Sequence, residues 1–354
     1  MASLSSPAPY YPLTQTQKWL LQAALMEQDG STKAWQQWRD RVDIETLDSD
    51  SHHVLSALYP ALSKHRVDDP HIARLKGIYR RTWYGNQLLI KQLTMVLQAL
   101  EAVQVEVLVI GEMALLATCY ADYGARSLAH FDLLLSPLAV PTALKVLQQQ
   151  GWHNLDFNPD ARSQAQQSVS APLRFQNADA FSLCLHNHVF WAKPQAYTDK
   201  QLWQTAIATS INGVAARVLS PVDQLLFLCL AINQQSGSEA IGRKQKQPFY
   251  CLADATQMIR AIGSEAEWVR LLTQAQRYEA ILPLRYLLLE LQQLFNIALP
   301  EWVMPNLQKM AISYHELLSY RLCPNDKLLR LKAQMVKFRQ RWRKSTRSAT
   351  AQEA

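Results

Sequence analysis

Arg126-Ser127-Leu128-Ala129-His130-Phe131-Asp132-Leu133-Leu134-Leu135 is the stretch on which the fold turns. Its apolar frame predicts a β-strand over residues 129–135, and side chains two apart on a strand point to the same face. A strand with the pattern hydrophobic-Asp-x-Asp-hydrophobic presents two carboxylates side by side. Such a pair can hold two hard cations, and two metals flanking the reacting oxygens favour an in-line phosphoryl displacement. Here Asp132 supplies the second carboxylate, while His130 stands where the first would be.

Working outward, residues 105–110 (Val-Glu-Val-Leu-Val-Ile) form a second predicted strand that ends at Gly111. A helix through Ala114, Leu115 and Tyr120 follows. On the other side, Pro137 is placed to start a helix that ends at Gly151, and residues 173–175 and 181–189 have strand character. Asn212-Gly213 is a hairpin turn signal between residues 209–211 and 214–219. These pieces make an α/β unit of about 120 residues, an ordinary domain size.

Helical periodicity flanks this unit. It covers residues 15–27, a helix capped by Ser31 running through Trp35, Trp38 and Val42, residues 52–64, and a long helix opened by Asp69-Pro70 and continuing towards Val103. It returns over residues 221–233, 249–262, 264–277 and 280–295, with more beyond Glu301, and residues 234–247 have the composition of a loop. The expected fold class is α+β and predominantly helical. A mixed-sheet core at 104–219 is flanked by helical regions at 1–103 and 220–326, with a basic tail at 327–354.

The bulk composition is consistent with this layout. A chain of 354 residues, 49% hydrophobic and 18% charged, is globular and large enough for two or three packed units. Ten tryptophans against only ten glycines favour helix over an all-β architecture. No run approaches the ~20 apolar residues of a membrane-spanning helix. The first residues have neither the basic nor the apolar region of a secretory signal. The five cysteines (119, 184, 229, 251 and 323) are scattered without a CxxC pair, so no disulfide framework or zinc knuckle is indicated and a cytoplasmic location is expected. Of 36 basic and 29 acidic residues, nine and one lie from Lys327 onward, which leaves 27 and 28 and a net charge of −1 on the body. The excess of +7 therefore belongs to the tail, which argues against a generally nucleic-acid-coated surface.

Three segments at family-like spacing carry a resemblance. They are Leu108-Val109-Ile110-Gly111-Glu112-Met113-Ala114-Leu115, Tyr120-Ala121-Asp122-Tyr123-Gly124-Ala125-Arg126, and His130-Phe131-Asp132-Leu133-Leu134. Together they resemble the uncharacterised bacterial nucleotidyltransferases, whose pattern is Lys-Gly-x-Ala-Leu, Tyr-x-Asp-x-x-x-Arg and Asp-(Phe/Ile)-Asp. The resemblance extends to residues 219–226 and to Leu252-Ala253-Asp254, and covers roughly residues 15–305. It implies a nucleotidyltransferase-like core and, if the protein is active, transfer of a nucleoside monophosphate from an NTP to a hydroxyl acceptor with magnesium. In that reading Asp132 and His130 are the catalytic positions, Gly111, Glu112 and Arg126 lie beside the nucleotide, and Asp132, Cys184 and His186 are the metal positions.

The departures from the family pattern fall on the chemistry. Gly111-Glu112 stands for Lys-Gly, and a glutamate at a helix start repels an approaching triphosphate. His130 replaces the first carboxylate, and Cys184 in Ser182-Leu183-Cys184-Leu185-His186 takes the place of the acid in the family's Asp-Leu-His. Imidazole and thiolate suit softer ions than magnesium. The expectation is therefore an impaired enzyme, with a non-catalytic nucleotide-binding or scaffold protein as the competing class.

Further readings follow from single features. If the two strands are neighbours, Cys184, His186 and His188 join His130 and Asp132 in a zinc-binding set; the plainer alternative makes Cys184 a small buried residue beside polar histidines. Arg126 is expected to form a structural salt bridge to Asp122. Glu112 is expected to favour the helix dipole, and His52-His53 to lie at the surface. In the tail, Leu328, Leu331, Met335, Phe338 and Trp342 form one helical face among basic residues. Such a helix either packs on the protein or meets an anionic membrane surface or acidic partner. No P-loop, nucleophile elbow or HExxH motif is present in the sequence.

Overall fold

The computed structural model describes residues 13–156, 172–188, 200–235, 249–313 and 316. The basic tail, most of the 234–247 segment and Cys323 lie outside them. Four helices come first: α1 (Gln15–Leu25), α2 (Gln28–Arg39), α3 (Ser49–Lys64) and α4 (Ile72–Glu101). The central unit then runs β1 (Val107–Ile110), α5 (Gly111–Cys119), β2 (Phe131–Leu135), α6 (Val140–Gln149), β3 (His153–Asn154), β4 (Leu173–Gln176), β5 (Ser182–His186), α7 (Lys200–Thr205), β6 (Ile207–Ile211) and β7 (Val214–Val218). Helices α8 (Pro221–Gln235), α9 (Cys251–Ala261), α10 (Glu265–Arg277), α11 (Ile281–Phe295) and α12 (Val303–Lys309) complete it. The chain is α+β and predominantly helical. None of the described helices is long and apolar enough to cross a membrane.

The sheet is mixed, in the order β3-β4-β5-β2-β1-β7-β6. Strand β2 runs antiparallel to β1 and parallel to β5, while β7 runs parallel to β1 and hairpins onto β6. The hairpin turns on Asn212 and Gly213, both at positive φ (48° and 80°), the geometry for which Asn-Gly is suited.

Alternation along the strands divides the apolar side chains between two cores. Phe131, Leu133 and Leu135 of β2 join Val109, Leu183, Leu185 and Val218 beneath the C-terminal half of α4 and helix α6. The opposite parity, Leu108, Ile110 and Leu134, packs into a larger core. That core takes residues from α1–α3 and from α8–α12, so the segments 1–103 and 220–326 contribute to one hydrophobic body. Asp132 shares parity with Leu134 and therefore faces the side of the larger body.

Several expected boundaries move, each for a local reason. Ser31 does not cap α2 but sits buried inside it, and its hydroxyl donates to the Ala23 carbonyl at 2.6 Å, tying α2 to α1. Helix α4 begins at Ile72 rather than at Asp69-Pro70, because the Asp69 carboxylate accepts from the His71 amide and closes a turn first. Helix α6 begins at Val140, with Pro141 in its first turn, while Pro137 lies in the preceding turn. Strand β2 begins at Phe131 instead of Ala129, whose amide is directed to Glu112 rather than to a ladder partner. Strand β5 ends at His186.

Candidate functional site

The predicted strands meet as the zinc expectation required. In register, Ile110 of β1 opposes Asp132 of β2, which in turn opposes Cys184 of β5. His186, two residues beyond Cys184, lies on the same face as both.

Asp132 is buried and each carboxylate oxygen has an imidazole partner. His186 Nε2 lies 2.8 Å from Oδ1 and His130 Nε2 lies 3.3 Å from Oδ2. Burial by itself would raise the carboxyl pKa. The hydrogen bonds and charges of His130 and His186 prevail, and hold it at about 2. In return, the hydrogen bond to Asp132 raises the pKa of His130 against its burial. Burial pushes the Cys184 thiol to about 12, with the Asp132 charge adding to the effect. His130, Asp132 and Cys184 each offer a ligand atom within 4.8 Å of the others. His130 lies at the lip of the strand with its side chain 35% exposed, so this cluster is open on one side. His186, expected as a metal position, and His188, which follows the end of β5, both fall outside the three-residue group.

Gly111 fixes the other wall. It lies at φ +65°, a region costly for residues with a Cβ, and an added Cβ would fall 2.5 Å from Asp132 Oδ2. The chain can therefore pass from β1 into α5 directly against the carboxylate only with glycine at this position.

Arg126 has different partners from the expected Asp122. Its Nε donates to Asp254 Oδ1 and one terminal nitrogen to Asp254 Oδ2, both at 2.9 Å. The same terminal nitrogen reaches Glu112 Oε1 at 2.9 Å, and the other donates to the Ser127 carbonyl at 2.8 Å. The guanidinium also lies 5.8 Å from the centre of the Tyr250 ring. Burial opposes ionisation of Glu112, but the Arg126 charge outweighs it and keeps the carboxyl pKa below its ordinary value. Asp122 instead accepts from the Tyr79 hydroxyl at 2.7 Å and the Gly124 amide at 2.8 Å.

The downstream landmarks also serve architecture. Asp254 takes a further hydrogen bond from the Tyr120 hydroxyl at 2.8 Å. Asp223 pairs with Arg270 at 3.0 Å and accepts from Ser220 at 2.6 Å, which fastens the start of α8. His53 is not a surface residue like its neighbour His52. It is half-buried, 2.7 Å from Ser127 Oγ, with its ring 4.8 Å from that of Tyr250.

One positioning residue is not evident from the motifs. Asn86 of α4 is buried and donates to the carbonyls of Tyr123 and Arg126, both at 2.6 Å, while accepting from the Leu128 amide at 3.0 Å. It thereby holds the loop that delivers His130 and Asp132. Its trace in the sequence is a polar residue three and four positions before Leu89 and Ile90, on the apolar stripe of a long helix.

Comparisons with known proteins give three distant structural likenesses and one family. A structure of ANT(2″)-Ia in complex with adenylyl-2″-tobramycin matches at 13% identity and a TM-score of 0.38, covering 53% of this chain and 98% of that one. Lincomycin-bound LnuA, a lincosamide antibiotic adenylyltransferase, matches at 15% and 0.32, covering 48% and 94%. An antigenic nucleotidyltransferase-like protein from Paracoccidioides brasiliensis matches at 16% and 0.33, covering 56% and 92%. These likenesses are too distant to carry residue roles. No curated protein gives a match. The model of a family described as uncharacterised nucleotidyltransferase matches residues 49–296, well over half of the chain, and the protein belongs to that family.

Proposed function

We propose that this member of the family does not carry out the two-magnesium transfer of a nucleoside monophosphate, and uses the fold to bind a nucleotide or a protein partner. The observation behind this reading is that both oxygens of Asp132 are held by imidazoles. The residues beside it across the sheet are Ile110 and Cys184, not carboxylates. Magnesium demands near-octahedral oxygen ligation and is usually bound through one or two carboxylates together with substrate phosphates. One carboxylate between two imidazoles and a thiol does not fit that ion. Glu112 and Arg126 add to the argument: the guanidinium is engaged with protein carboxylates, which leaves the start of α5 without a free cation from that residue to meet a triphosphate.

The retained Asp132 against Gly111 favours the second reading, in which the protein transfers a nucleoside monophosphate from an NTP to a hydroxyl acceptor with magnesium on Asp132. A cytosolic setting is part of the proposal, supported by the thiols of Cys119, Cys184 and Cys229, none of which is in a disulfide. So is contact of the 327–354 tail with an anionic membrane surface or acidic partner, which rests on its sequence alone.

Turnover of each NTP over a panel of hydroxyl acceptors, with and without magnesium, separates the two readings. The expected result is no magnesium-dependent turnover. Turnover that needs magnesium and disappears in Asp132→Asn would overturn the proposal. The double change His130→Asp and Cys184→Asp restores the carboxylates, and gain of turnover would establish that these two positions had suppressed it.

A further inference from the structure

We infer that His130, Asp132 and Cys184 form a binding site for a borderline divalent cation, with zinc the favoured ion. The inference shares its residues with the reading above, but zinc binding is measured independently of nucleotide turnover.

The donor set is one imidazole nitrogen, one carboxylate oxygen and one thiol sulfur, all within 4.8 Å of one another. Three such ligands with a fourth position left to water or a ligand are the pattern of open tetrahedral zinc sites. Two nitrogen or oxygen ligands at about 2.0–2.1 Å from one tetrahedral ion lie about 3.3 Å apart by trigonometry. His130 Nε2 and Asp132 Oδ2 are 3.3 Å apart. A sulfur ligand at about 2.3 Å would stand about 3.5 Å from either of them, so Cys184 Sγ, within 4.8 Å of both, needs to close by at most about 1.3 Å. Rotation of one side chain supplies that distance.

Charge balance points the same way. A thiolate, a carboxylate and a neutral imidazole neutralise a dication, which suits a largely buried place where an unpaired charge is costly. The ion would take the position between His130 and Asp132 and displace the thiol proton to solvent. The surroundings also have the form of an outer coordination shell. His186 holds the other oxygen of Asp132 at 2.8 Å and fixes the carboxylate's orientation. Gly111 keeps the approach to Oδ2 free of a side chain. The partial exposure of His130 leaves an entry path. Nitrogen and sulfur donors select zinc over magnesium, and cobalt(II) can stand in for zinc as a coloured probe.

The test uses the full chain, stripped of metal with a chelator and dialysed against zinc alone. One zinc per chain is expected. Cys184→Ser and His130→Ala should each weaken binding by at least about 100-fold, the upper end of what loss of an outer-shell partner costs. His186→Ala should weaken it by about 10- to 100-fold. The unmodified chain loaded with cobalt(II) should show a sulfur-to-metal charge-transfer band, a readout that does not depend on any variant folding. Less than stoichiometric zinc, zinc retained unchanged by Cys184→Ser, or a cobalt spectrum without that band would each overturn the site. Failure here would leave the absence of nucleotidyl transfer untouched, since that is read from NTP turnover.

Discussion

Two buried carboxylates lie on either side of the segment that leads into β2, and their partners differ in kind. Asp254 is paired with Arg126, a cation that does not release its proton, through a two-pronged contact that also gathers Glu112 and Tyr120. Asp132 is paired with two imidazoles, His130 and His186, of which His130 can give up its proton and serve as a ligand to a metal. The first cluster is closed and permanent, so it acts as a brace between α5, the Arg126 loop and α9. The second is held together by groups that can exchange. The presence of a charge pair therefore does not distinguish frame from site. What distinguishes them is whether the partner can leave.

The sharpest way to break this comparison is to remove the permanent cation. Arg126→Ala leaves Asp254 and Glu112 buried without their countercharge. Loss of one member of a buried pair typically costs about 3–5 kcal/mol. Urea unfolding should show that loss, and Arg126→Lys should recover little of it, because an ammonium cannot reproduce the fork onto Asp254. A lysine variant as stable as the parent would show that charge alone, without geometry, secures the brace.

This contrast also explains what the sequence could and could not disclose. Parity along residues 131–135 placed Asp132 opposite the Phe131/Leu133/Leu135 face, and the Cys184–His186 spacing placed those two residues together, because strand geometry is local and periodic. The neighbouring of β2 and β5 is a long-range event, and could only be posed as a condition. Asp254 lies 128 residues from Arg126, so the nearer Asp122 was the more visible candidate for an ion pair. The prolines at 70 and 137 signal helix entries, but they sit at the second position of turns closed from Asp69 and Ser136, so the helices start later, at Ile72 and Val140. The resemblance to the family carried across most of the chain because the shared motifs maintain the frame, while the positions that differ crowd around Asp132.

Asn86 tests whether the mobile-partner cluster depends on the frame for its placement. Asn86→Ala removes three hydrogen bonds and leaves the Leu128 amide and two carbonyls of the connecting segment without their partner. Buried groups left unsatisfied cost about 1–3 kcal/mol. A stability loss of about 2–3 kcal/mol is expected, accompanied by a changed titration of His130 in NMR, since the loop ending at His130 loses its anchor. A loss of stability with the His130 titration unaltered would show that β2 alone positions the histidine.

The smallest effect, and the one most specific to the exchangeable pair, is its pH dependence. The Asp132 carboxyl falls from its ordinary 3.8 to about 2 on folding, so its contribution is present above about 4 and is lost as the pH drops through the folded value. That limb amounts to roughly 2 kcal/mol. His130 moves the other way, raised above its ordinary 6.5 by the hydrogen bond to Asp132. Its contribution is complete below 6.5 and disappears as the pH rises through the folded pKa. Stability measured by urea unfolding across pH should therefore be greatest between the two limits, and Asp132→Asn should flatten both limbs. The Arg126 pair provides the contrast on the alkaline side, because its guanidinium stays charged throughout and adds no loss there. If His130 in the unmodified protein titrates at or below 6.5, or Asp132→Asn leaves the alkaline limb in place, the imidazole is not held by that carboxylate and the distinction between the two clusters fails.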